Sequence, residues 1–362
     1  MTTTQAAAGT SAAQAAKTAV SSRRKPHREL IEQAMRHSWF PVARSSDIVA
    51  GGAPQAATLL GVQLVVYRDG TGQAAVASRR CPHRGADLSI GQVHETSIGC
   101  PYHGWQFASG DGLCVRVPSL ADQGKIPPKA RLRVFPVAER YGLVWTALES
   151  PVEPLYELPE WEREHFEWLQ ADPLDSPVGV AVTVENFRDV AHFPFVHKVS
   201  MGPTPEVVER LSVTREGSHV WMFRPLNAGT GEWAGDGDCE MQYHCVAPGL
   251  SAITYDYAEL GRRVVAGFPS PISYEQVKIF WGVANAGGFA GASIEENLRL
   301  EEMVYLEDIP IVENIQPREV SWDAEFEEFS APADVFTLNY RRAFLDLARR
   351  VEEAQHAGGT AE

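Results

Sequence analysis

The chain has 362 residues, 44% of them hydrophobic and 22% charged, with a formal net charge of −15. That length allows about two domains, and so acidic a composition excludes the basic face that nucleic-acid phosphates require. No apolar run approaches the roughly twenty residues that span a bilayer, and five cysteines in so long a chain argue against a disulfide framework and for a reducing, cytoplasmic setting.

In chain order, residues 1–26 are rich in Ala, Thr, Ser and Gln, hold no acidic group and show no apolar period, so a disordered tail is expected. The pair Arg23-Arg24 lacks the apolar run that an export signal needs. From Arg28 a short helix leads to a first strand at Trp39-Phe40-Pro41-Val42-Ala43. A second strand, Val62-Gln63-Leu64-Val65-Val66-Tyr67, is β-branched and aromatic and ends in an Asp69-Gly70 turn.

The run Cys81-Pro82-His83-Arg84-Gly85, followed by Cys100-Pro101-Tyr102-His103-Gly104-Trp105, reads C-x-H, sixteen residues, then C-x-x-H. Two thiolates and two imidazoles at that spacing ask for a metal. One Cys and one His from each half is the arrangement of a [2Fe–2S] centre in which two His replace two Cys on one iron. The other reading is structural zinc of the Cys2His2 type, but zinc fingers pair Cys with Cys and His with His. Gly85 and Gly104 would allow backbone N–H groups to approach the sulfurs. Basic residues gather here (Arg79, Arg80, Arg84, Arg116), which suits the docking of an acidic electron donor as well as ordinary solubility.

The strand Gly142-Leu143-Val144-Trp145-Thr146 closes a small β domain, and a Pro-rich linker runs from Pro151 to about Pro159. The stretch Glu185 to His197 is the next signal. Asn186, Asp189 and His192 are spaced by three and would share a helix face. His192 and His197 would lie about 140° apart on a straight helix, and Pro194 between them would bend or end it so that both imidazoles converge. Two His with a carboxylate from elsewhere form the facial triad of non-heme Fe(II) oxygenases. Strands are expected at 208–215, 219–225, 239–247, 252–259 and 274–283, and helices at 293–307 and 335–354. No G-x-G-x-x-G stands between a strand and a helix, so no nicotinamide or flavin site is evident.

Together the two motifs resemble the alpha subunit of the Rieske non-heme iron ring-hydroxylating oxygenases, from about Trp39 to about Arg350. The segments Ile126-Pro127-Pro128-Lys129-Ala130-Arg131 and Phe135 to Gly142 look like the phthalate, vanillate and dicamba group, homotrimers of one chain. Ala86, Tyr102 and Trp105 stand where respiratory Rieske proteins carry two disulfide cysteines and a Ser, which implies a low potential, about −150 mV.

The resemblance implies an α+β chain: an all-β Rieske domain with its N-terminal helix over 27–155, and a helix-grip (START-like) catalytic domain with an antiparallel sheet over 156–362. It implies a [2Fe–2S] cluster on Cys81, His83, Cys100 and His103. It also implies a mononuclear Fe(II) on His192, His197 and Asp308, with Glu307 as the alternative third ligand. Asp189 would bridge His192 to His103 of a neighbouring subunit, and Asn186 would sit near the iron. The expected partners are O2, a separate reductase or ferredoxin, and a small aromatic substrate that is hydroxylated or demethylated. cis-Dihydroxylation is the alternative chemistry, and a Rieske carrier or ligand-binding protein without oxygen chemistry is the alternative class.

Overall fold

The computed structural model describes residues 25–158, 165–226 and 239–358. The expected tail, up to residue 24, and the end of the Pro-rich linker lie outside the described residues. Helix α1 (His27–Arg36) precedes strand β1 (Phe40–Arg44), which pairs with β10 (Leu143–Thr146), itself paired with β9 (Val137–Arg140). Strands β2 (Gln55–Leu59), β3 (Val62–Arg68) and β4 (Ala74–Ser78) form an antiparallel meander. Its second turn is set by Asp69, whose Oδ1 accepts from the Thr71 N–H, the Thr71 hydroxyl and the Gln73 N–H at 3.0, 2.6 and 3.1 Å.

A second small sheet, β5 (Gln92–Val93), β6 (Ser97–Gly99), β7 (Gln106–Ala108) and β8 (Cys114–Arg116), presents the Cys/His loops. Its core holds Val65, Tyr67, Ile98 and Phe107 together with Cys81 and Cys100.

The second domain is built on one antiparallel sheet. Its order is β11 (Phe166–Gln170), β18 (Gln276–Ala286), β17 (Gly261–Ser273), β16 (Leu250–Tyr257), β15 (Cys239–Val246), β14 (His219–Leu226) and β13 (Ser212–Glu216), with β12 (Leu174–Ser176) also on β18. Alternation sorts its faces: Cys239, Met241, Tyr243 and Cys245 of β15 are buried while the residues between them are less so. The inner face packs on α2 (Val180–Asn186), α4 (Ile294–Val312) and α5 (Val335–Gly358), as a helix-grip fold requires. Tyr340 of α5 donates to the Pro248 carbonyl at 2.7 Å beneath the sheet. The outer face takes the first domain, with Trp145 edge-on to Phe268 at 5.2 Å between ring centroids. The expected strand over 208–215 starts only at Ser212, and the expected helix over 293–307 runs on through Pro310 to Val312.

Gly112 is fixed by its neighbours. Its φ is 74° and a Cβ there would lie 1.9 Å from the Leu132 carbonyl oxygen, whereas a Cβ at Gly110 would meet nothing within 4 Å. Gly112→Ala should cost at least about 2 kcal/mol, combining left-handed strain with a backbone clash. Gly110→Ala should unfold like the parent when melting is followed by far-ultraviolet dichroism.

Candidate metal centres

Two loops of the first domain close in the same way. Gly85 N–H donates to the Cys81 carbonyl (2.8 Å) and Gly104 N–H to the Cys100 carbonyl (3.0 Å); Cys81 and Cys100 N–H donate to the carbonyls of Ala86 (2.9 Å) and Trp105 (2.7 Å). Both turns use left-handed backbone, with φ of 71° at Gly85 and 68° at Gly104. The two cysteines are buried and unbridged. Burial, helped by the adjoining Cys100 thiol, pushes the Cys81 thiol up to about 11, while the backbone N–H groups of His83 and Arg84 act the other way on its sulfur. A bound metal ion would draw such protons off.

The rings of His83 and His103 stand edge to face at 4.7 Å, and His83 stacks on Trp105 at 4.4 Å. Nδ1 of His83 is buried without a hydrogen-bond partner, an orphan that ligation would satisfy. No three of the four loop donors lie within 4.8 Å of one another. Tetrahedral zinc holds its ligands about 3.5–3.8 Å apart, so the spread fits two irons better than one zinc. Of the nearby arginines, Arg79 and Arg80 turn to Asp87, at 3.3 and 3.8 Å.

The second centre lies on the inner side of the large sheet. Asn186, Asp189 and His192 do not share one helix: α2 ends at Asn186, and residues 187–192 turn before α3 (Phe193–Val196). Pro194 does not bend a longer helix but opens this short one, where its missing N–H costs nothing. His192 and His197 therefore bracket a single turn, and their Nε2 atoms come within 2.9 Å. Asp308 on α4 places Oδ1 3.5 Å from His192 Nε2 and 3.4 Å from His197 Nε2. Among the described residues this is the one set of three metal-ligating groups gathered within 4.8 Å. Separations near 3 Å are those of three ligands on one ion with bonds of about 2.1 Å.

Each donor is held from behind. Asp189 Oδ2 lies 3.1 Å from His192 Nδ1 and Glu307 Oε2 lies 2.9 Å from His197 Nδ1, so both rings turn Nε2 to the centre. Glu307 also accepts from the Ser200 hydroxyl at 2.6 Å. Asn186 Nδ2 donates to Asp308 Oδ1 at 3.2 Å, so it steadies the carboxylate. Burial pushes Asp308 up against the pull of both imidazoles. Burial also opposes ionisation of Asp189, but its bonds from His192 and the Ala191 N–H outweigh that and hold it below the usual carboxylate range. His197 and Asp308 are buried, while His192 and Asp189 line a cleft of about 600 Å³ walled by Val182, Val196 and Ile311. Sequence reasoning missed Glu307's hold on His197 and Ser200, since an acid next to a ligand candidate gives no signal of its own.

A cysteine–histidine cluster domain joined to a helix-grip domain with a two-His, one-carboxylate centre defines an iron-dependent oxidoreductase. The family "Rieske [2Fe-2S] domain" matches residues 38–136, and "Vanillate O-demethylase oxygenase C-terminal domain" matches residues 179–350. The methylxanthine N1-demethylase NdmA of Pseudomonas putida is 28% identical over 341 residues, 89% of this chain and 92% of that one. The solved NdmA with caffeine superposes with a TM-score of 0.77 at 25% identity, over 90% of this chain and 94% of that one. The 3-chlorobenzoate-3,4-dioxygenase oxygenase subunit of Comamonas testosteroni is 35% identical over 176 residues, 45% of this chain but only 38% of that one. Dicamba monooxygenase bound to dicamba shares the fold, with a TM-score of 0.75 at 20% identity over 88% of this chain and 99% of that one. The chain belongs to the Rieske non-heme iron oxygenases.

One buried acid beside this centre gives a stability test. Glu319 is 4% exposed and accepts from the Ala181 N–H at 3.1 Å and the Val320 N–H at 2.6 Å. A Cβ at Gly179 would lie 2.1 Å from its Oε2, so only glycine lets it reach the start of α2. Burial, opposed by those two N–H groups, pushes Glu319 up to about 8 from the ordinary 4.5. The folded state then binds the proton more tightly than the unfolded one. The stability this proton gives is complete below pH 4.5 and is lost as pH rises through about 8. Denaturant titrations at pH 5 and pH 8 should show the parent losing more stability than Glu319→Gln across that window, with an upper limit of about 1.4 kcal/mol per pH unit.

Proposed function

We propose that the chain is the terminal oxygenase component of a multicomponent system, hydroxylating or O-/N-demethylating a small aromatic compound. The observation that carries this is the convergence of His192, His197 and Asp308 beside an open cleft, in a chain that also holds the cluster loops. A carrier that only relayed electrons would have no use for the triad.

The cluster domain fits the [2Fe–2S] group through Cys81, Cys100, His83 and His103, and the triad fits Fe(II); when bound, the first supplies single electrons and the second activates O2. The chain's own residues do the rest. Asp189 and Glu307 accept hydrogen bonds from Nδ1–H of His192 and His197 and fix both tautomers. Asn186 keeps one Asp308 oxygen turned to the centre. The net reaction inserts one oxygen atom into a C–H bond and releases the other as water, using two electrons and two protons.

The sequence offers no nucleotide-binding loop, so a separate reductase or ferredoxin supplies those electrons. The chlorobenzoate relative is itself named an oxygenase subunit, which accords with a divided system. In a homotrimer, Asp189 would also accept a hydrogen bond from the imidazole N–H of His103 of the next subunit and couple the two centres. Among the described residues no helix is long and apolar enough to cross a membrane, and all five cysteines are free, which suits the cytoplasm.

Anaerobically purified protein should hold three irons and two acid-labile sulfides per chain. Asp308→Ala should keep two irons and the visible spectrum of the cluster; a parent protein with only two irons even after Fe(II) addition would sink the oxygenase reading. Asp189→Asn should keep all three irons while turnover falls about 100-fold. Among products, formaldehyde marks demethylation and a cis-diol marks dioxygenation.

A further inference from the structure

The seam between the two domains holds a cavity whose charged walls are all basic. Leu60 N–H and Gly61 N–H donate to the carbonyls of Pro271 and Ile272 at 2.7 and 2.8 Å and pin the β2–β3 turn to β17. Near these bonds lies a space of about 220 Å³. Thr58 of β2 and Arg79, just past β4, line it from the first domain, and Ser270 of β17 and Lys278 of β18 line it from the second. Ser270 and Lys278 are direct cross-strand partners, so they share one face of the sheet. Pro41, Val42 and Phe280 add apolar wall, and among the described residues no acid lines the space.

The donors around this space are short of acceptors. The Arg79 side chain is 17% exposed, and its Nε is buried without a hydrogen bond. Its ion-pair partner, Asp87 Oδ2, lies 3.3 Å from that Nε but out of line, and it also lies 3.8 Å from Arg80 Nη1. One carboxylate thus serves two guanidinium groups. Lys278 Nζ donates to Asp175 at 2.6 Å, which leaves two of its three N–H groups. Ser270 is 4% exposed, and among the described residues neither its hydroxyl nor that of Thr58 has a hydrogen-bond partner. Arg79, Arg80 and Lys278 therefore share two carboxylates, a positive surplus in a chain whose net charge is −15. A group that brought negative charge and several acceptors would satisfy all of these donors.

We propose that the seam binds a small inorganic oxyanion of the phosphate class, held by Arg79 and Lys278 with the hydroxyls of Thr58 and Ser270. Guanidinium and ammonium groups both favour phosphate, and the hydroxyls donate to its remaining oxygens. The volume sets the size of the occupant. Pockets for drug-sized ligands run to about 300–1,000 Å³, so this smaller space takes a free anion rather than a bulky ester. Arg79 comes from one domain and Lys278 and Ser270 from the other, so an anion between them ties the domains together. Only the folded chain brings these donors together, and binding therefore stabilises it by mass action.

The test titrates inorganic phosphate into the iron-loaded full chain by calorimetry, with sodium chloride of equal ionic strength as the reference. The parent should bind one phosphate per chain, and its melting temperature should rise with phosphate but not with chloride. Lys278→Gln and Ser270→Ala should each weaken phosphate binding by about tenfold, the loss of one charge-assisted hydrogen bond. Arg79→Gln should abolish it, with the visible spectrum of the cluster recorded because Cys81 is two residues away. Where that variant loses the cluster, Lys278→Gln and Ser270→Ala decide alone. Lys129→Gln, which removes an exposed charge outside the seam, should bind phosphate as the parent does. No saturable heat in the parent, or parent-like affinity in both Lys278→Gln and Ser270→Ala, would overturn the proposal. Equal weakening by Lys129→Gln would also overturn it, since the effect would then be one of net charge.

Discussion

Three donor atoms have to meet at one point, and much of the second domain is arranged to make them do so. His192 and His197 come from either end of one helical turn, but Asp308 comes from α4, more than a hundred residues on. The two pieces are tied by hydrogen bonds that cross between them: Asn186 to Asp308, and Glu307 to both His197 and Ser200. Further back, Arg341 of α5 grips Glu185 with two bonds of 2.6 and 2.8 Å, one residue before Asn186. A shift of α4 or α5 would thus be felt at the triad.

The charges around that point are unbalanced without a cation. Asp189, Glu307 and Asp308 surround two imidazoles whose Nδ1 protons are already committed. Burial works against Asp189 and Asp308, and at Asp308 it outweighs the pull of both imidazoles. A divalent ion supplies the missing positive charge and uses the two Nε2 lone pairs that otherwise face each other at 2.9 Å. The cluster loops differ in kind. Their cost lies in two buried thiols, and it is met by deprotonation onto metal and by N–H groups aimed at sulfur.

These differences explain what could be read from the sequence. The cluster loops were legible because their chemistry is local: Cys, His and Gly recur at fixed short spacings and fold back within five residues. The strands of the large sheet were placed within a few residues, and the meeting of His192 with His197 was expected, though through a bend at Pro194 where the structure instead has a short helix that Pro194 opens. The path between Asn186 and His192 was not, because a spacing of three is shared by a helix face and by a turn that happens to bring side chains together. The choice between Asp308 and Glu307 was not, because it depends on where α4 lies against α3, a tertiary fact.

The adjacency of Glu307 and Asp308 is itself a consequence of helix geometry. Consecutive residues on a helix point about 100° apart, so one can face the ion while the other reaches past it to the far side of His197. Neither role could move one position along without turning its carboxylate away. Pro310 follows closely, and its ring cannot donate to the carbonyl of Leu306, one residue before this pair. The helix nonetheless continues, because its last turn is closed by the bond from Glu313 N–H to the Ile309 carbonyl at 3.0 Å. One missing bond beside the ligand pair is compatible with an intact helix, so Glu307 and Asp308 keep the roughly 100° offset that their two roles require.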